Sequence, residues 1–524
     1  MRPHFYYCSI GLLAFLASFS PLLCQGQVSL DEFNGSMAKL GLPTLPQSSE
    51  RPPKADIPEP PLFGPGGRII SEPEIVALGV AKRARLAPLN SSALSSSFPR
   101  VRLNLFDDAT YTARIRTKES TDPARVYSGD IESVPGSRVI LAERNGVVAG
   151  DVLIPGRGCF RISFGSDGLH SIVEVGATKE AFCSLSKKPE DTASRLGAEE
   201  APIPPPAAPE SAQPVVDIMV LYSPAARGAV GGTDAMRTSI CLEVALANQA
   251  FENSLINARL RLIHMRELNY VESTGDYSGL TNEADSVFVD VPGLADAYGA
   301  DQVFLIGSYG AGFGAIGQQL TQTTDSKYAL LSVPRVFGGE FIFAHEVGHN
   351  LGCDHQRQDP SPTGRYFAYS YGLKLEFEND TYGTIMALGL NPDQRILHFS
   401  NPLVLFTNYV TVPATWLPTG IPEGEPDAAD NAKTINFTAP IVAAYKALLP
   451  ATLSGARVTG SGQQFEADIT GPPNSPCEVQ FTTDFHCWEP LTHLTLSAQG
   501  GGSFVDPAFP NSPRRFYRLM PYAP

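Results

Sequence analysis

The sequence predicts an α/β (α+β) domain that is flanked by two smaller all-β units. Buried-strand patterns alternate with helical patterns between residues 215 and 333, which is typical of a layered α/β domain. Short alternating runs separated by turn residues fill 101–175 and 451–524, which is typical of small antiparallel sheets. Because 524 residues are too many for one ordinary domain, a division into three or four units is expected.

Four short apolar runs and one long periodic segment define the central domain, residues 215–449. Residues 235–256 carry apolar side chains at helical spacing, so they are predicted to form a long amphipathic helix. Residues 282–298 are predicted to be partly helical, with a break near Pro292-Gly293 because proline removes a backbone donor. The predicted strands are Val215–Leu221, Arg259–Ile263, Gln302–Ile306 and Tyr328–Val333.

The regions around the central domain differ from it in composition. Residues 27–100 are rich in Pro, Ser and Gly and are interpreted as an extended leader, with one short helix near Glu74–Arg85. Residues 101–186 are predicted to form a β-rich propeptide, and residues 187–214 an exposed Pro- and Ala-rich linker. A C-terminal β-sandwich module, 451–524, is predicted from the strands Phe465–Ile469, Glu478–Thr482, Leu491–Leu496 and Arg515–Leu519.

Residues 1–26 have the pattern of a secretory signal peptide. Positive charge at Arg2 precedes a short apolar stretch, and Gly26 offers a small residue for cleavage. The stretch is short for a membrane span and contains Pro21, so we expect a secreted, extracellular protein without an integral membrane segment in its mature form. The formal net charge of −15 argues against nucleic acid as a partner, because phosphate binding needs clustered Lys and Arg.

Six cysteines follow the signal peptide, and an even number in an exported chain favours disulfide bonds. Cys159 and Cys183 are interpreted as a disulfide pair. The alternative is that one of them is a latency cysteine, whose thiolate fills the metal site of the precursor. Cys353 either pairs with Cys241 or is a buried free thiol, and the two cysteines of the C-terminal module are close enough to close a local loop.

Three histidines and a glutamate follow the last predicted strand at spacings that suit a metal site. On a helix, His345 and His349 project from one face, so two imidazole nitrogens can converge on one ion. Gly352 allows the chain to reverse and bring in His355 as the third ligand. Glu346 can then act as the base toward a water held by the ion without binding the ion itself. This set predicts one catalytic Zn²⁺ with a fourth position for water.

The pattern His345-Glu346-x-x-His349-x-x-Gly352-x-x-His355 resembles that of the metzincin clan of zinc endopeptidases. The clan has a methionine turn beneath its metal, and the segment Thr384-Ile385-Met386-Ala387 is similar to it. The resemblance covers about 215–449 and is strongest to the reprolysin-like bacterial branch. It implies a metzincin-like domain with a twisted mixed sheet and an active-site helix, preceded by an inhibitory propeptide.

Two positions depart from the pattern of these relatives. Gln356 stands where reprolysins usually have an aspartate directly after the third histidine. Leu388 stands where some metzincin branches have a tyrosine that serves as an extra ligand, so no fifth protein ligand is expected. The stretch 387–402 is expected to shape the pocket that reads the residue after the scissile bond. His398, within that stretch, either lines the substrate cleft or lies at the surface.

Together these observations favour a secreted zinc endopeptidase that is made as a zymogen. Glu346 would take a proton from the attacking water and pass it to the leaving amine. The expected partners are a protein or peptide substrate and the chain's own propeptide, which acts as an intramolecular inhibitor. Two alternatives stay open: a non-catalytic adhesion or binding protein that keeps the fold, and a zinc hydrolase that acts on a non-peptide bond.

Overall fold

A computed structural model describes the chain from residue 59 to residue 521 with internal gaps. The gaps are 71–80, 95–99, 122–123, 166, 177–212, 274–275, 283–284, 310–314, 334–336, 338, 362–363, 409–413, 447–451, 461–463, 472–475, 484–487 and 510–513. The predicted signal peptide and nearly all of the predicted linker therefore lie outside the described residues. In the described part, no helix combines the length and the apolar character that a membrane crossing needs.

The first folded region is a nine-stranded antiparallel sheet, called the N-terminal sheet below. Across the sheet the order is β1-β2-β9-β8-β7-β6-β5-β4-β3, so most strands pair with their neighbours in sequence. Asn145 and Gly146, between β6 and β7, both have positive φ, which suits an Asn-Gly hairpin turn. The strands are β1 (Arg68–Ile69), β2 (Ala81–Ala87), β3 (Arg100–Phe106), β4 (Ala109–Thr121), β5 (Ala124–Ile131), β6 (Arg138–Arg144), β7 (Val147–Ile154), β8 (Gly158–Phe164) and β9 (His170–Val175).

The N-terminal sheet begins well before the residue where the sequence predicts it. Strands β1 and β2 lie within 27–100, which the sequence predicts to be an extended leader. The helix predicted near Glu74–Arg85 is wrong over 81–85, where β2 pairs with β9 and buries Ala84. Backbone pairing with a neighbouring strand outweighs a weak local helical pattern here. The rest of that predicted helix lies outside the described residues.

The central domain is built on a mixed five-stranded sheet. Its order is β11-β10-β12-β14-β13, in which β13 runs antiparallel to β14 and lies at the edge. The four longer strands coincide with predicted strands, so the predicted α/β class is confirmed at this level. The strands are β10 (Val215–Tyr222), β11 (Arg259–Glu267), β12 (Gln302–Gly307), β13 (Ala315–Gly317) and β14 (Tyr328–Ser332).

Helices cover both faces of this mixed sheet. Alternate side chains of β10 point to opposite faces. Val216, Ile218 and Val220 pack with helix α2 (Thr233–Asn253) on one face. Met219 and Leu221 pack with helix α4 (Val291–Tyr298) on the other. The described helices of the domain are α1 (Pro224–Ala229), α2 (Thr233–Asn253), α3 (Asp276–Thr281), α4 (Val291–Tyr298), α5 (Ile342–Asn350) and α6 (Asn431–Val442).

Helix α4 differs from its prediction at the proline. The predicted break near Pro292-Gly293 is wrong, because both residues lie in the first turn of α4, which begins at Val291. A proline is tolerated there, since the first backbone N–H groups of a helix have no partner within the helix. Gly299, with φ of 69°, ends the helix in the left-handed conformation.

Short strand pairs and two small sheets complete the described fold. The C-terminal module consists of two three-stranded sheets, β21-β22-β25 and β24-β23-β26, whose inner faces share one apolar cluster. Two of its strands, β21 and β25, were not among those that the sequence predicts. The strands are β15 (Asp354–Gln356), β16 (Tyr371–Gly372), β17 (Lys374–Glu376), β18 (Thr381–Gly383), β19 (Leu405–Phe406), β20 (Leu417–Pro418), β21 (Thr452–Thr459), β22 (Gln464–Thr470), β23 (Pro476–Thr482), β24 (Glu489–Thr495), β25 (Gly501–Asp506) and β26 (Phe516–Pro521).

The N-terminal sheet and the central domain share one hydrophobic core. Val126, Ile140 and Ala142 of the sheet belong to the same buried cluster as Ile240 and Val244 of α2. Removal of the sheet would expose these side chains of α2 to water, at a cost of about 25 cal/mol for each Å² of apolar surface. The two parts therefore pack as one body, although the sequence predicts two units joined by a linker.

A buried cluster of charges joins the same two parts. Arg161 on β8 donates to Glu243 on α2 at 2.9 Å and lies 3.2 Å from Asp151 on β7. Arg138 on β6 pairs with Asp151 at 2.7 Å. Burial raises the pKa of Glu243 to about 7, against the opposing effect of Arg161. Although burial also acts on Asp151, its two arginine partners outweigh it and lower the pKa of that carboxyl.

The same arginines contact the residue at which α5 begins. Phe341 caps the helix with φ of 55° and ψ of 32°, a left-handed conformation that is uncommon for a bulky residue. The guanidinium carbons of Arg138 and Arg161 lie 5.4 and 5.9 Å from the centre of its ring, within the range of a cation–π interaction. The N-terminal sheet thus stabilises the start of α5.

We predict that Arg161→Met lowers the free energy of unfolding by about 3–5 kcal/mol, because it leaves the buried carboxyl of Glu243 without its cation and Asp151 with Arg138 alone. Thermal and urea unfolding of the full chain measure this change. The matched control is Arg157→Met, in an exposed turn of the same sheet, for which a change within about 0.5 kcal/mol is expected.

The double variant Arg161→Met/Glu243→Met tests the cause of that loss. It removes the buried carboxylate together with its partner, so its stability is expected to recover toward that of the wild type. Equal stability of Arg161→Met and Arg157→Met would contradict the assigned role of the buried cluster.

Candidate metal centre and active site

Helix α5 carries three of the four predicted site residues, and a glycine sets its position. Gly348 lies where α5 approaches the turn at Thr384–Ala387 most closely. A Cβ atom at Gly348 would lie 2.4 Å from Met386 Sδ and 3.0 Å from a ring carbon of Phe399. Because no side chain fits in that space, glycine allows the helix to rest directly on Met386.

Helix α5 ends in a chain reversal that returns the third histidine. The N–H of Cys353 donates to the carbonyl of Gly348 at 2.9 Å, and the N–H of Gly352 donates to that of His349 at 2.9 Å. This pattern, with Gly352 at φ of 88°, is that of a Schellman motif. Strand β15 then carries His355 back toward the helix. The sequence predicts this reversal at Gly352, and the structure places it there.

The structure brings His345, His349 and His355 together. Their candidate ligand atoms all lie within 4.8 Å of one another, and the Nε2 atoms of His349 and His355 are 3.0 Å apart. All three residues are buried, with at most 3% of their surface exposed. Among the described residues this is the group of histidines, cysteines and carboxylates whose geometry suits a metal ion.

Two of the rings are oriented by oxygen acceptors on their Nδ1 side. His345 Nδ1 lies 2.9 Å from the carbonyl oxygen of Ile385. His349 Nδ1 lies 2.9 Å from Gln319 Oε1 and 3.1 Å from the carbonyl oxygen of Cys353. Because these oxygens only accept hydrogen bonds, Nδ1 carries the proton in both rings and Nε2 keeps its lone pair. Partners of this kind are typical of histidines that bind metal ions through Nε2.

The electrostatics of the three rings also suit a cation. Burial lowers the pKa of His345 and His349 well below 6.5 and that of His355 to about 4. All three imidazoles are therefore neutral at neutral pH, which is the form that binds a metal. The Nε2 atoms of His349 and His355 are only 3.0 Å apart, close enough for both to bind the same ion. The residues present thus fit one metal ion.

Glu346 lies on the helix beside His345 and is completely buried. Burial raises the pKa of its carboxyl group to about 8, while the backbone of Gly317 on β13 opposes this rise. A Cβ atom at Gly317 would lie 2.7 Å from Glu346 Oε2 and 3.1 Å from His349 Cβ. A glycine at this place lets the edge strand pass directly against the predicted base.

The turn at Thr384–Ala387 lies under the metal centre, as the resemblance implies. Its Ile385 carbonyl accepts the bond from His345, and Met386 is completely buried. Gln356, at the position that departs from the reprolysin pattern, accepts a 2.7 Å hydrogen bond from the N–H of Leu388. This glutamine therefore ties the strand of the third histidine to the residue that follows the turn.

Two residues near the centre were not singled out from the sequence. Gln319 holds His349, and it also donates to the carbonyl of Cys353 at 3.1 Å. Arg395 is 5% exposed and donates to the carbonyl of Ile385 at 3.3 Å. Neither residue belongs to a sequence motif. The only signal in the sequence for either one was that it is a polar residue in a segment that becomes buried. His398, predicted to line a cleft or the surface, is partly buried and lines a cavity beside Arg395.

Of the two alternatives predicted for Cys353, the structure has the buried free thiol and not the pair with Cys241. Cys353 is a buried free thiol whose Sγ lies 3.8 Å from the carbonyl of Asn431. Cys159 is also a buried thiol, and its Sγ contacts Asp151 at 3.5 Å. Burial and the neighbouring carboxylate raise the pKa of Cys159, which disfavours the thiolate that a latency role requires. Cys183, its predicted partner, lies outside the described residues.

Comparison with known proteins agrees with this geometry. Residues 212–411 match the model of the metallopeptidase family M12B, reprolysin-like. A peptidyl-Asp metalloendopeptidase from Pseudomonas aeruginosa is 29% identical over 298 residues, which is 51% of this chain and 45% of that protein. One from Stenotrophomonas maltophilia is 24% identical over 404 residues, 72% of this chain and 90% of that protein.

A third relative of the same name, from Xanthomonas campestris, is 25% identical over 60% of this chain and 70% of its own length. The chain therefore spans about half the length of the Pseudomonas relative and most of the length of the other two. The family match contains all three histidines, Glu346 and Met386. Residues 212–411 are therefore similar to the reprolysin-like metallopeptidases of family M12B.

Proposed function

We propose that the chain is a secreted zinc endopeptidase, made as a zymogen, that cleaves peptide chains beside an acidic residue. His345, His349 and His355 hold the ion and Glu346 is the general base. The observation that carries this proposal is the convergence of three neutral imidazoles beside one buried carboxyl on the same helix. The acidic preference is suggested by relatives that are named peptidyl-Asp metalloendopeptidases.

Zinc is the ion that we favour for this set of ligands. Three imidazole nitrogens without a fourth protein ligand are typical of catalytic zinc sites, whereas calcium and magnesium prefer oxygen ligands. When bound, zinc supplies Lewis acidity, which polarises a carbonyl group and makes a nearby water molecule more acidic. The chain's own residues must then move the protons.

Glu346 is placed to perform both proton transfers. It follows His345 on α5, so its carboxylate lies beside the point on which the histidines converge. In the first step it accepts a proton from the attacking water. In the second it returns that proton to the amine nitrogen of the leaving peptide. Burial keeps bulk water from competing with the carboxylate for these protons.

Strand β13 offers a place for the peptide backbone. Among the described strands it lies at the edge of the central sheet, and Gly317 on it contacts Glu346. An extended peptide can add to such an edge through main-chain hydrogen bonds, which bind peptides irrespective of most side chains. This geometry favours peptides over small acylated molecules and thus weighs against a zinc hydrolase of non-peptide bonds.

The adhesion alternative is weakened by the residues that surround the ligands. A binding protein that kept only the fold would need neither the buried base nor the close approach of Gly317 to it. Both features occur in this chain together with all three histidines.

Latency is supported by the burial of the centre in the full-length chain. Glu346 and two of the histidines have no exposed surface, so a peptide cannot reach them without a rearrangement. The N-terminal sheet stabilises the start of α5 through Arg138 and Arg161 and is the candidate inhibitor. The predicted linker, 187–214, is the expected site of the activating cleavage.

We predict that Glu346→Gln lowers kcat/KM for a peptide substrate by at least about 10²-fold, because the amide cannot accept the proton. Peptide hydrolysis is measured after the linker has been cleaved and a second protease has degraded the N-terminal sheet. Zinc content is determined in parallel and is expected to stay at one per chain. Glu425→Gln, at an exposed carboxylate, is the matched control. Full activity of Glu346→Gln would refute the assignment of the base.

We predict that Gln319→Leu weakens zinc binding by about 10–100-fold, because His349 loses the oxygen that orients its ring. Competition with a zinc chelator measures the affinity without any reference to activity. Gln319→Glu, which keeps an oxygen acceptor, is expected to bind zinc at least as tightly as the wild type. Gln322→Leu, which removes a bond to the Tyr366 carbonyl, is the control. Unchanged affinity in Gln319→Leu would exclude this role.

We predict that cleavage of the linker alone does not release the N-terminal sheet. The sheet shares a hydrophobic core and a buried ion pair with α2, so the two fragments are expected to elute together in size-exclusion chromatography. Activity is expected to rise when a second protease degrades the sheet. Separation of the fragments immediately after cleavage would contradict the shared core.

A further inference from the structure

One backbone carbonyl behind the metal centre accepts two hydrogen bonds. His345 Nδ1 donates to the carbonyl oxygen of Ile385 at 2.9 Å, and Arg395 Nη1 donates to the same oxygen at 3.3 Å. A carbonyl oxygen has two lone pairs, so both bonds can form at once. A guanidinium therefore lies one oxygen atom away from a ring that we assign to the metal, on the Nδ1 side and clear of the space in which a substrate meets the ion.

Backbone pairing holds Arg395 at this position. The N–H of Ile396 donates to the carbonyl of Gly383 at 2.9 Å, and the N–H of Ile385 donates to the carbonyl of His398 at 2.8 Å. These bonds align the segment of Arg395 with the start of the methionine turn. All of these residues belong to the central domain, so none of the bonds involves the N-terminal sheet.

Arg395 keeps its positive charge in this buried place. The residue is 5% exposed, and burial lowers its pKa to about 10, while the charge of Glu340 opposes the shift. The guanidinium is therefore still protonated at neutral pH. Glu340 is itself buried and directly precedes Phe341, the cap of α5, so the cation and this carboxyl both lie behind the metal centre.

The charge of Arg395 acts on two of the three histidines. Burial and the neighbouring imidazoles are the main causes that lower the pKa of His345, and the charge of Arg395 adds to them. For His355, burial is again the main cause, and Arg395 again adds to it. A buried site screens charges much less than water does, so the guanidinium also opposes the binding of a divalent cation by these rings.

The two bonds at the carbonyl of Ile385 have opposite effects on His345. An oxygen acceptor on Nδ1–H makes Nε2 a stronger ligand, because negative charge on one side of the ring favours donation from the other. The guanidinium withdraws electron density from the same oxygen and thereby weakens that donation. An ion that receives less charge from its ligands keeps more of its own and polarises a substrate carbonyl more strongly.

We propose that Arg395 raises the Lewis acidity of the metal centre by weakening the metal ligation of His345. This inference rests on the proposed function and deepens it by naming a residue that acts through a ligand without touching the substrate. Tighter zinc binding is given up for a more strongly polarising ion. Glu340 determines how much of the guanidinium charge reaches the ligands.

The test measures the zinc affinity of the full-length chain by competition with a chelator. Arg395→Met is expected to bind zinc about tenfold more tightly than the wild type, because the positive charge behind His345 is lost. A residue that merely held the methionine turn in place would give the opposite result, since its removal would loosen the ligands. Arg395→Lys keeps the charge and is expected to stay close to the wild type. The matched control, Arg157→Met, removes an exposed cation and should leave the affinity unchanged.

A second pair of variants covers the case in which Arg395→Met fails to fold because the buried Glu340 loses the cation beside it. Glu340→Gln is expected to bind zinc less tightly than the wild type, since the charge of Arg395 is then less opposed. The double variant Glu340→Gln/Arg395→Met removes both charges and is expected to bind zinc about tenfold more tightly than Glu340→Gln.

Activity supplies the other half of the test. In the enzyme from which a second protease has removed the N-terminal sheet, Arg395→Met is expected to lower kcat about tenfold at saturating zinc and to change KM little. Weaker or unchanged zinc binding in folded variants without Arg395 would overturn this role, as would an unchanged kcat, and the peptidase proposal would survive either result. A wild-type protein that binds no zinc and cleaves neither peptide nor casein would instead refute the proposed function itself.

Discussion

The close contact between α5 and the methionine turn is the constraint on which the site depends. Gly348 lets the helix lie against Met386, and the carbonyl beside that methionine then orients His345. With the helix at this distance, the Schellman reversal returns His355 to within reach of His349. A side chain at Gly348 would push the helix away and separate the ligands. The absence of a Cβ atom at this position therefore determines the geometry of the centre.

Much of this site was predictable because its parts lie close together in sequence. Histidines four residues apart share a helix face in any helix, and Gly352 is a strong local signal for a chain reversal. The long strands and α2 were predictable for the same reason, since their apolar periodicity spans whole elements. The N-terminal boundary and the short helices differed from prediction, and strands β21 and β25 were not predicted, because local signals are weak there.

Residues that act across long separations in sequence were not predictable. Gln319 contacts a ring thirty positions away, and Arg395 reaches a carbonyl ten positions away around a turn of irregular backbone. The pairing of Arg161 with Glu243 spans 82 positions and crosses between two parts that the sequence presents as separate. Charge and polarity alone do not reveal such partners, because most Arg, Gln and Glu side chains are solvated at the surface.

The left-handed conformation of Phe341 has a consequence for the order in which the chain folds. A bulky residue in this conformation costs about 1–3 kcal/mol and persists only where its surroundings impose it. Here two arginines of the N-terminal sheet supply part of those surroundings. That sheet is made mostly of hairpins between consecutive strands, so its contacts are local and it emerges first during synthesis. It can thus act as a template on which the start of the catalytic helix acquires its shape, in the manner of an intramolecular chaperone.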